Sequence, residues 1–295
     1  MEKEYFFVIS AGLLSGLILS GAGYFASLGF SLYQISIFPL FSVFTLLPVM
    51  IIKREHMIKR EMLRFLVLFA FLNFFGHLFQ FLPIILGVPV AVAVFLLYTQ
   101  PVWSAIFGRI FFKENITRTK IAAILLVIAG AWFLTDPFSI TGTRLLGVIV
   151  ALLGGIFLSA WVVFGRAAGI KKYSPIATKF GSTSLVLLLV LISYPLVSVF
   201  ITDPTITGLR FDLSATMWLA LLSFGFFAQI VSNVLYFRGA KKVPASTSGI
   251  ILMLEPVSAS LLALVFLEQL LTVNMAIGGA LILLANYIVI KSKTR

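Results

Sequence analysis

The sequence predicts an all-α integral membrane protein with ten transmembrane helices, arranged as two inverted five-helix repeats. Three observations support this prediction: the apolar composition, the spacing of uncharged segments and an internal repeat. Of the 295 residues, 61% are hydrophobic and 11% are charged, and the mean hydropathy is +1.13. Soluble proteins carry about 25% charged residues, so this composition excludes an ordinary soluble enzyme, a disordered chain and a coiled coil.

Uncharged segments account for the ten helices in order. Residues 5–52 and 65–108 contain no charged residue, and each segment is long enough for two crossings of about 20 residues. Turn-forming residues divide the first segment near 24–34 and the second near 83–89. The six further apolar segments are 119–134, 145–165, 175–201, 213–237, 244–267 and 270–290. No connecting segment is long enough to form a separate domain.

The distribution of Lys and Arg predicts the orientation. With a cytoplasmic N-terminus, 20 of the 22 basic residues fall in cytoplasmic segments, and only Arg144 and Arg210 lie outside. This asymmetry follows the positive-inside rule. We therefore expect a multi-pass protein of the cell (plasma) membrane with cytoplasmic N- and C-termini and with the 142–144 and 205–209 loops outside. The net charge of +12 then reflects topology, and no nucleic-acid partner is expected.

An internal repeat relates the two halves of the chain. An offset of 155 places Gln100-Pro101-Val102 on Glu255-Pro256-Val257, and one residue of slippage later 112–114 meets 266–268. The two predicted domains are residues 1–140 and residues 141–295. Because five helices are an odd number, the second repeat must enter the membrane in the opposite orientation, an architecture common among secondary transporters.

The most specific pieces of the repeat are Leu254-Glu255-Pro256-Val257 with Phe266-Leu267-Glu268, and Tyr98-Thr99-Gln100-Pro101-Val102 with Phe112-Lys113-Glu114. In these motifs, and over its whole length, the chain resembles EamA-type members of the drug/metabolite transporter superfamily. The resemblance implies a ten-helix transporter, and many such proteins export amino acids or other small metabolites. One departure is Asn286, where the family often has Gly, as at Gly130 in the first half.

Glu255 is the only carboxylate predicted deep within the membrane. It lies about twelve residues into its helix, close to the bilayer centre, where an acidic residue costs about 2.5–3.5 kcal/mol. We expect it to face a cavity and bind substrate, with a structural, hydrogen-bonded Glu as the alternative. Gln100 is its counterpart in the first half. Pro101 and Pro256 each remove a backbone donor, so both helices should kink there.

Two polar stripes repeat in the predicted third and eighth helices. They consist of Asn73, His77 and Gln80, and of Gln229, Asn233 and Tyr236, which follow at an offset of 156. The spacing of each set puts its members on one face of a helix. The matched stripes are predicted to face each other across a cavity, although each residue alone also suits an interhelical hydrogen bond. Further candidates for the cavity wall are Tyr98, Trp103 and Trp161, with ordinary packing as the alternative.

Enzyme chemistry is not expected. The sequence contains no Cys and two His, so neither a metal site nor a cofactor is predicted, and its loop acids form no acid/base pair. It also lacks an ATP-binding motif. Arg109, Arg166, Lys179 and Arg238 fall within about 8 Å of cytoplasmic helix ends and should reach the headgroups. Without a mid-depth cation, phosphorylated substrates are disfavoured.

These observations predict a secondary transporter that moves a small neutral or zwitterionic metabolite, an amino acid with export favoured, by alternating access. The alternatives are an importer or exchanger of an amine or cationic metabolite, and a membrane-embedded transferase. The predicted partners are a small-molecule substrate and the lipid bilayer, and the sequence sets no oligomeric state.

Overall fold

The computed structural model describes residues 3–86, 88, 90–135, 145–266 and 272–292. Within these ranges the regular structure is entirely helical, which confirms the predicted all-α class. In the same part of the chain, eight helical segments are long and apolar enough to cross a bilayer. The protein is therefore a multi-pass membrane protein.

The helices are α1 (Lys3–Ser27), α2 (Leu32–Ile37), α3 (Leu47–Ile52), α4 (Leu63–Ile85), α5 (Val90–Leu97), α6 (Gln100–Phe112), α7 (Arg118–Thr135), α8 (Leu145–Ile170), α9 (Pro175–Phe200), α10 (Pro204–Thr207), α11 (Ala215–Gly225), α12 (Ser232–Gly239), α13 (Ala245–Leu252), α14 (Leu254–Phe266) and α15 (Val273–Lys291). The 3₁₀ segment Phe38–Leu46 joins α2 to α3, and the 3₁₀ turns Arg54–His56 and Arg60–Met62 precede α4. The π-helical segment Phe226–Val231 joins α11 to α12.

The eight candidate spans fall in eight of the ten predicted crossings. The other two predicted crossings correspond to the pair α5 and α6, which is interrupted between Leu97 and Gln100, and to α7, which has 18 residues and begins with Arg118. The predicted outer loop at 142–144 and the second-half motif at 267–268 lie outside the described residues.

Each half contributes its first helix to the other half. Helix α1 packs against α12, α13 and α14, and α8 packs in the corresponding way against α4, α5 and α6. Two further pairs, α6 with α13 and α7 with α15, join the halves directly. On the outside of the bundle, Ile52, Val199 and Phe200 are 79%, 73% and 78% exposed, as expected for side chains that face lipid.

Segments predicted on the same side of the membrane contact one another. At one end, Glu4 Oε1 and Lys242 Nζ form an ion pair at 2.9 Å. At the other end, Gln34 Nε2 donates a hydrogen bond of 2.8 Å to the carbonyl of Arg210. At each end of the bundle, these contacts join segments that the distribution of Lys and Arg predicts on the same side of the membrane.

Candidate functional site

Two helices break at corresponding positions in the interior of the bundle. Tyr98 and Thr99 separate α5 from α6, and Met253 separates α13 from α14. Pro101 and Pro256 lie in the first turns after the breaks. A backbone N–H in the first turn of a helix has no helical acceptor, so a proline there costs no helical hydrogen bond. Each break exposes backbone groups and side chains to the interior of the bundle.

A glycine from the opposite half packs against each break. A Cβ at Gly12 of α1 would lie 3.0 Å from the Ile251 carbonyl oxygen, and one at Gly155 of α8 would lie 2.8 Å from Thr99 Oγ1 and 3.1 Å from the Leu96 carbonyl oxygen. The Gly155 distance is too short for a side chain, and a side chain at Gly12 would require the Ile251 carbonyl to shift by a few tenths of an ångström. The absence of a Cβ lets α1 and α8 approach the broken backbone closely.

Glu255 lies in the first turn of α14, directly after the second break. Its backbone carbonyl accepts a hydrogen bond from Ser258 Oγ at 3.0 Å, but its carboxyl group has no hydrogen-bond partner among the described residues. Tyr98, in the first break, is close enough for an electrostatic interaction with Glu255. The Tyr98 hydroxyl is buried and also has no hydrogen-bond partner in that part of the chain. The two breaks therefore bring a carboxyl and a phenol together.

Gln100 begins α6 two residues after Tyr98 and is 9% exposed. Within the ranges that the structure describes, its amide makes no hydrogen bond. Gln100 and Glu255 thus occupy equivalent positions after the two breaks, each with polar atoms that a ligand can use. Tyr98 lies next to Gln100 in the chain, and the role of all three residues in substrate binding stays a prediction.

Four amide side chains of the predicted stripes resemble Gln100, because they also make no hydrogen bond to a described residue. They are Asn73, Gln80, Gln229 and Asn233, and all four are partly buried. No side-chain hydrogen bond joins any of them to another described residue. The interhelical hydrogen bonds of the alternative interpretation are therefore not made within the described residues, and the cavity-lining role stays a prediction. The two stripes do not pack extensively against each other, however: α4 packs mainly against α8 and α9, α12 packs mainly against α1, and the π-helical segment with Gln229 packs against α1, α11 and the 3₁₀ segment Phe38–Leu46. Their arrangement across a cavity stays a prediction.

His77, in the first stripe, has neighbours of its own. It forms a hydrogen bond with the backbone of Ser36 and interacts electrostatically with Lys179 on α9. The side chain therefore links α4 to the span that contains the 3₁₀ segment. His77 thus shares its helix face with Asn73 and Gln80 and interacts with two neighbouring elements.

Tyr236 requires a correction. It is completely buried, its ring stacks on Trp161 with centroids 4.5 Å apart, and its hydroxyl donates to the Val162 carbonyl. Tyr236 packs α12 against α8, and the prediction that it lines a cavity with Gln229 and Asn233 is wrong for this conformation. The physical reason is that Gly165 of α8 leaves room for the Tyr236 ring, which packs onto α8 beside Trp161.

The indole N–H of Trp103 also has a hydrogen-bond partner within the protein. Its Nε1 donates to Thr99 Oγ1 at 3.2 Å, and that hydroxyl donates to the Leu96 carbonyl at 2.7 Å. The indole therefore supports the break between α5 and α6. Its polar group is used within the protein, as the packing alternative predicted.

Glu114 has a role that the sequence motif did not reveal. Its Oε1 accepts a hydrogen bond from the Ala245 N–H at 2.7 Å, and its Oε2 accepts one from the Ser246 N–H at 3.0 Å. These donors are the first two residues of α13, so a carboxylate of the first half caps a helix of the second half. The repeat marked Glu114 as special, but spacing alone could not identify its partner.

Lys179 requires a second correction. Its position near the start of α9 predicted a side chain that reaches the headgroups, but the residue is 4% exposed. Ile176, one turn earlier, packs against Val43, Met50 and Ile230. This end of α9 is therefore covered by neighbouring spans instead of lipid, and Lys179 points into protein.

A cavity of about 390 Å³ lies at the same end of the bundle. It is bounded by the N-terminal ends of α1 and α9 and by the C-terminal end of α12. Its charged lining residues include Lys3, Glu4, Arg238 and Lys241. Three basic side chains and one acid give this opening an excess of positive charge.

Comparison with known proteins identifies related chains. The model of the EamA-like transporter family matches at residues 3–136 and again at 145–291. An uncharacterized transporter of Archaeoglobus fulgidus is 25% identical to this chain over 193 residues, or 65% of it. An uncharacterized transporter of Clostridium kluyveri is 25% identical over 205 residues, or 66% of the chain. The matches span 65% and 62% of the lengths of those two proteins.

A chloroplastic WAT1-related protein of Arabidopsis thaliana is 27% identical over 65% of this chain and 46% of its own length. A crystal structure of another protein superposes with a TM-score of 0.74 at 16% identity, covering 95% of both chains. At this identity, the likeness establishes the fold alone.

Proposed function

Because the chain belongs to the EamA-like transporter family, we propose that it is a secondary transporter of a small neutral or zwitterionic metabolite. An amino acid is the proposed substrate and export the proposed direction. Transport proceeds by alternating access across the plasma membrane. The family and the relatives' names support a membrane transporter, and the substrate and mechanism are our proposal.

The proposed architecture is ten crossings in two inverted repeats, residues 1–140 and 141–295. The exchange of first helices supports it, since α1 packs in the second half and α8 packs in the first. The paired breaks support it as well, because they lie at positions related by the repeat offset. A double match of the family model to the chain agrees with the same division.

The site is proposed to lie where the two breaks meet. Transporters of inverted-repeat architecture commonly bind substrate at interrupted helices near the middle of the membrane. The observation that carries this proposal is the electrostatic interaction of Tyr98, in the first break, with Glu255, after the second; neither side chain has a hydrogen-bond partner among the described residues. In the ionised state, the Glu255 carboxylate attracts an ammonium group, and the amides of Asn73, Gln80, Gln229 and Asn233 accommodate neutral polar groups.

A cationic amine is the second candidate substrate. Glu255 is the acidic residue that the two breaks place in the interior, and a carboxylate there binds an amine whether or not the ligand also carries a carboxyl group. Amines and amino acids therefore compete as substrate classes for the same site. Their relative transport rates separate the two candidates.

The test is substrate flux in liposomes that contain the purified protein. Counterflow should be measured for amino acids, for the amines obtained by removing their carboxyl groups, and for phosphorylated sugars. The proposal predicts flux of at least one neutral amino acid and none of the phosphorylated compounds. Flux confined to amines would replace the amino acid with a cationic substrate, and flux confined to phosphorylated compounds would refute the proposed class.

A further inference from the structure

Lys179 is a buried cation that the proposed site does not use. It lies in the second turn of α9 and is 4% exposed. Its ammonium group donates no hydrogen bond to any residue that the structure describes. A charged group removed from water is stable only where other groups compensate it.

The helices that pack most extensively against α9 contain no acidic residue, and Glu61, in the nearby turn Arg60–Met62, is exposed. Helix α9 packs against α2, α4, α8 and α12, the 3₁₀ segment Phe38–Leu46 and the turn Arg54–His56. Among these elements, the turn alone contains an acidic residue, Glu55, whose side chain is 74% exposed and lies 3.6 Å from His56 Nε2. His77 of α4 is the titratable group that interacts with Lys179, and it carries no negative charge.

A hydroxyl group accompanies the ammonium group. Thr183 follows Lys179 by four residues and therefore lies on the same face of α9. It is 2% exposed, and its hydroxyl makes no hydrogen bond within the described ranges. An ammonium group and a hydroxyl on one face, both without acceptors, form a pair of donors suited to an anion.

The face of α9 that carries Lys179 and Thr183 begins at the cavity at the predicted cytoplasmic end of the bundle. Ile176, one turn before Lys179 on the same face, lines the cavity of about 390 Å³ together with Lys3, Arg238 and Lys241. Glu4 also lines this cavity, and Lys179 lies one helical turn beyond Ile176, outside the lining residues. An anion that moves from the cavity along this face of α9 would meet the basic side chains first and Lys179 next. Such a series of positive charges concentrates anions along the path.

We propose that Lys179 and Thr183 form a binding site for the carboxylate of the substrate on its way between the cytoplasmic cavity and the interior. This inference rests on the proposed transport function and narrows its substrate class. It favours a substrate that carries a carboxylate, a zwitterionic amino acid, over a simple amine. A single ammonium group and one hydroxyl suit the charge of a carboxylate better than the higher charge of a phosphate.

The first test measures anion binding without transport. Thermal unfolding of the purified full chain should be followed in propionate, phosphate and propylamine, each at matched ionic strength set with sodium chloride. Propionate should raise the unfolding temperature of the wild type, because a ligand that binds the folded state stabilises it. Lys179→Gln should lose that shift, while Lys53→Gln, which removes an exposed lysine at the same end, should keep it.

Equal shifts in the wild type and in Lys179→Gln, or no shift of the wild type by propionate, would overturn the site. A shift by phosphate alone would overturn the carboxylate class. Folding is controlled by the ligand-free unfolding temperature, which should not fall in Lys179→Gln or Lys179→Met because the change removes an uncompensated buried charge. Lys179→Arg keeps the charge and should retain the propionate shift.

The second test separates this inference from the proposed function. Amino-acid flux should be compared between wild-type and Lys179→Gln liposomes. If the wild type moves no amino acid, the proposed function fails, while the propionate result still decides the anion site. If the variant moves amino acids with unchanged KM, the carboxylate inference alone fails. The expected result is a KM for amino acids raised about tenfold or more and an unchanged KM for the matched amines.

Discussion

Lys120 Nζ donates a hydrogen bond of 2.7 Å to Ser246 Oγ, and the same hydroxyl donates to the carboxylate of Glu114. Lys120 is 8% exposed and also donates to the Asn115 carbonyl at 2.9 Å. Helix α7 and the end of α6 are thereby tied to the first turn of α13. This network joins the two proposed repeats at one end of the bundle, next to the direct packing of α6 on α13.

The Glu114 cap should contribute measurably to stability. Glu114→Ala removes the acceptor for two N–H groups and one hydroxyl, so we expect a loss of about 2 kcal/mol, the upper range for a helix cap. The measurement is the unfolding temperature of the purified protein, which should fall. Glu61→Ala, at an exposed position, is the matched control and should leave it nearly unchanged. An unaltered unfolding temperature in Glu114→Ala would show that the network adds no net stability.

The close approach of α1 to the second break should make Gly12 intolerant of any side chain. In Gly12→Ala the new Cβ lies 3.0 Å from the Ile251 carbonyl oxygen, and overpacking of this kind costs about 1–3 kcal/mol. Gly279→Ala is the control, because its Cβ would meet its nearest neighbour at 3.8 Å. We expect Gly12→Ala to lower both the unfolding temperature and the flux, and Gly279→Ala to lower neither. Equal behaviour of the two variants would contradict the packing argument.

The orientation can be tested with single cysteines, since the chain contains none. Thr205, Lys171 and Lys241 are exposed positions, the first in a predicted outer loop and the other two at the predicted cytoplasmic end. A membrane-impermeant thiol reagent added to intact cells should label Cys at Thr205 and spare the other two. Label at Lys171 or Lys241 with none at Thr205 would reverse the proposed topology.

The sequence predicted the all-α class and the apolar spans, because apolar length is a local property, and it predicted helix interruptions near the paired prolines because proline disfavours a continuing helix. Pro101 and Pro256 could therefore be placed near helix kinks, and the repeat offset related them. Tyr236 could not be assigned correctly, because helical spacing gives the face on which a residue lies and does not give the residues that this face packs against. Its burial depends on contacts with Trp161 and Val162 that only the fold provides.

The surroundings of two charged residues, Lys179 and Glu114, also could not be predicted from the sequence. A lysine four residues into a helix suggests a headgroup anchor, and only the packing of Ile176 against neighbouring spans shows that this helix end is covered. Glu114 was recognised through its repeat position, yet its partners Ala245 and Ser246 are more than 130 residues away along the chain. Long-range contacts of this kind are set by topology and cannot be obtained from local spacing.

The most direct test of the proposed site is to measure the transport kinetics of Glu255→Gln in liposomes. The pH should be varied from about 5.5 to about 8, which brackets the physiological value. The variant should fold, because Gln100 shows that an amide is accommodated at the equivalent position, and Glu61→Gln serves as the exposed control. We predict that wild-type flux changes across this pH range, and that Glu255→Gln raises the KM for amino acids about tenfold or more and transports at a rate that does not change with pH. Wild-type KM and a wild-type pH profile in the variant would contradict the account and reduce Glu255 to a structural residue.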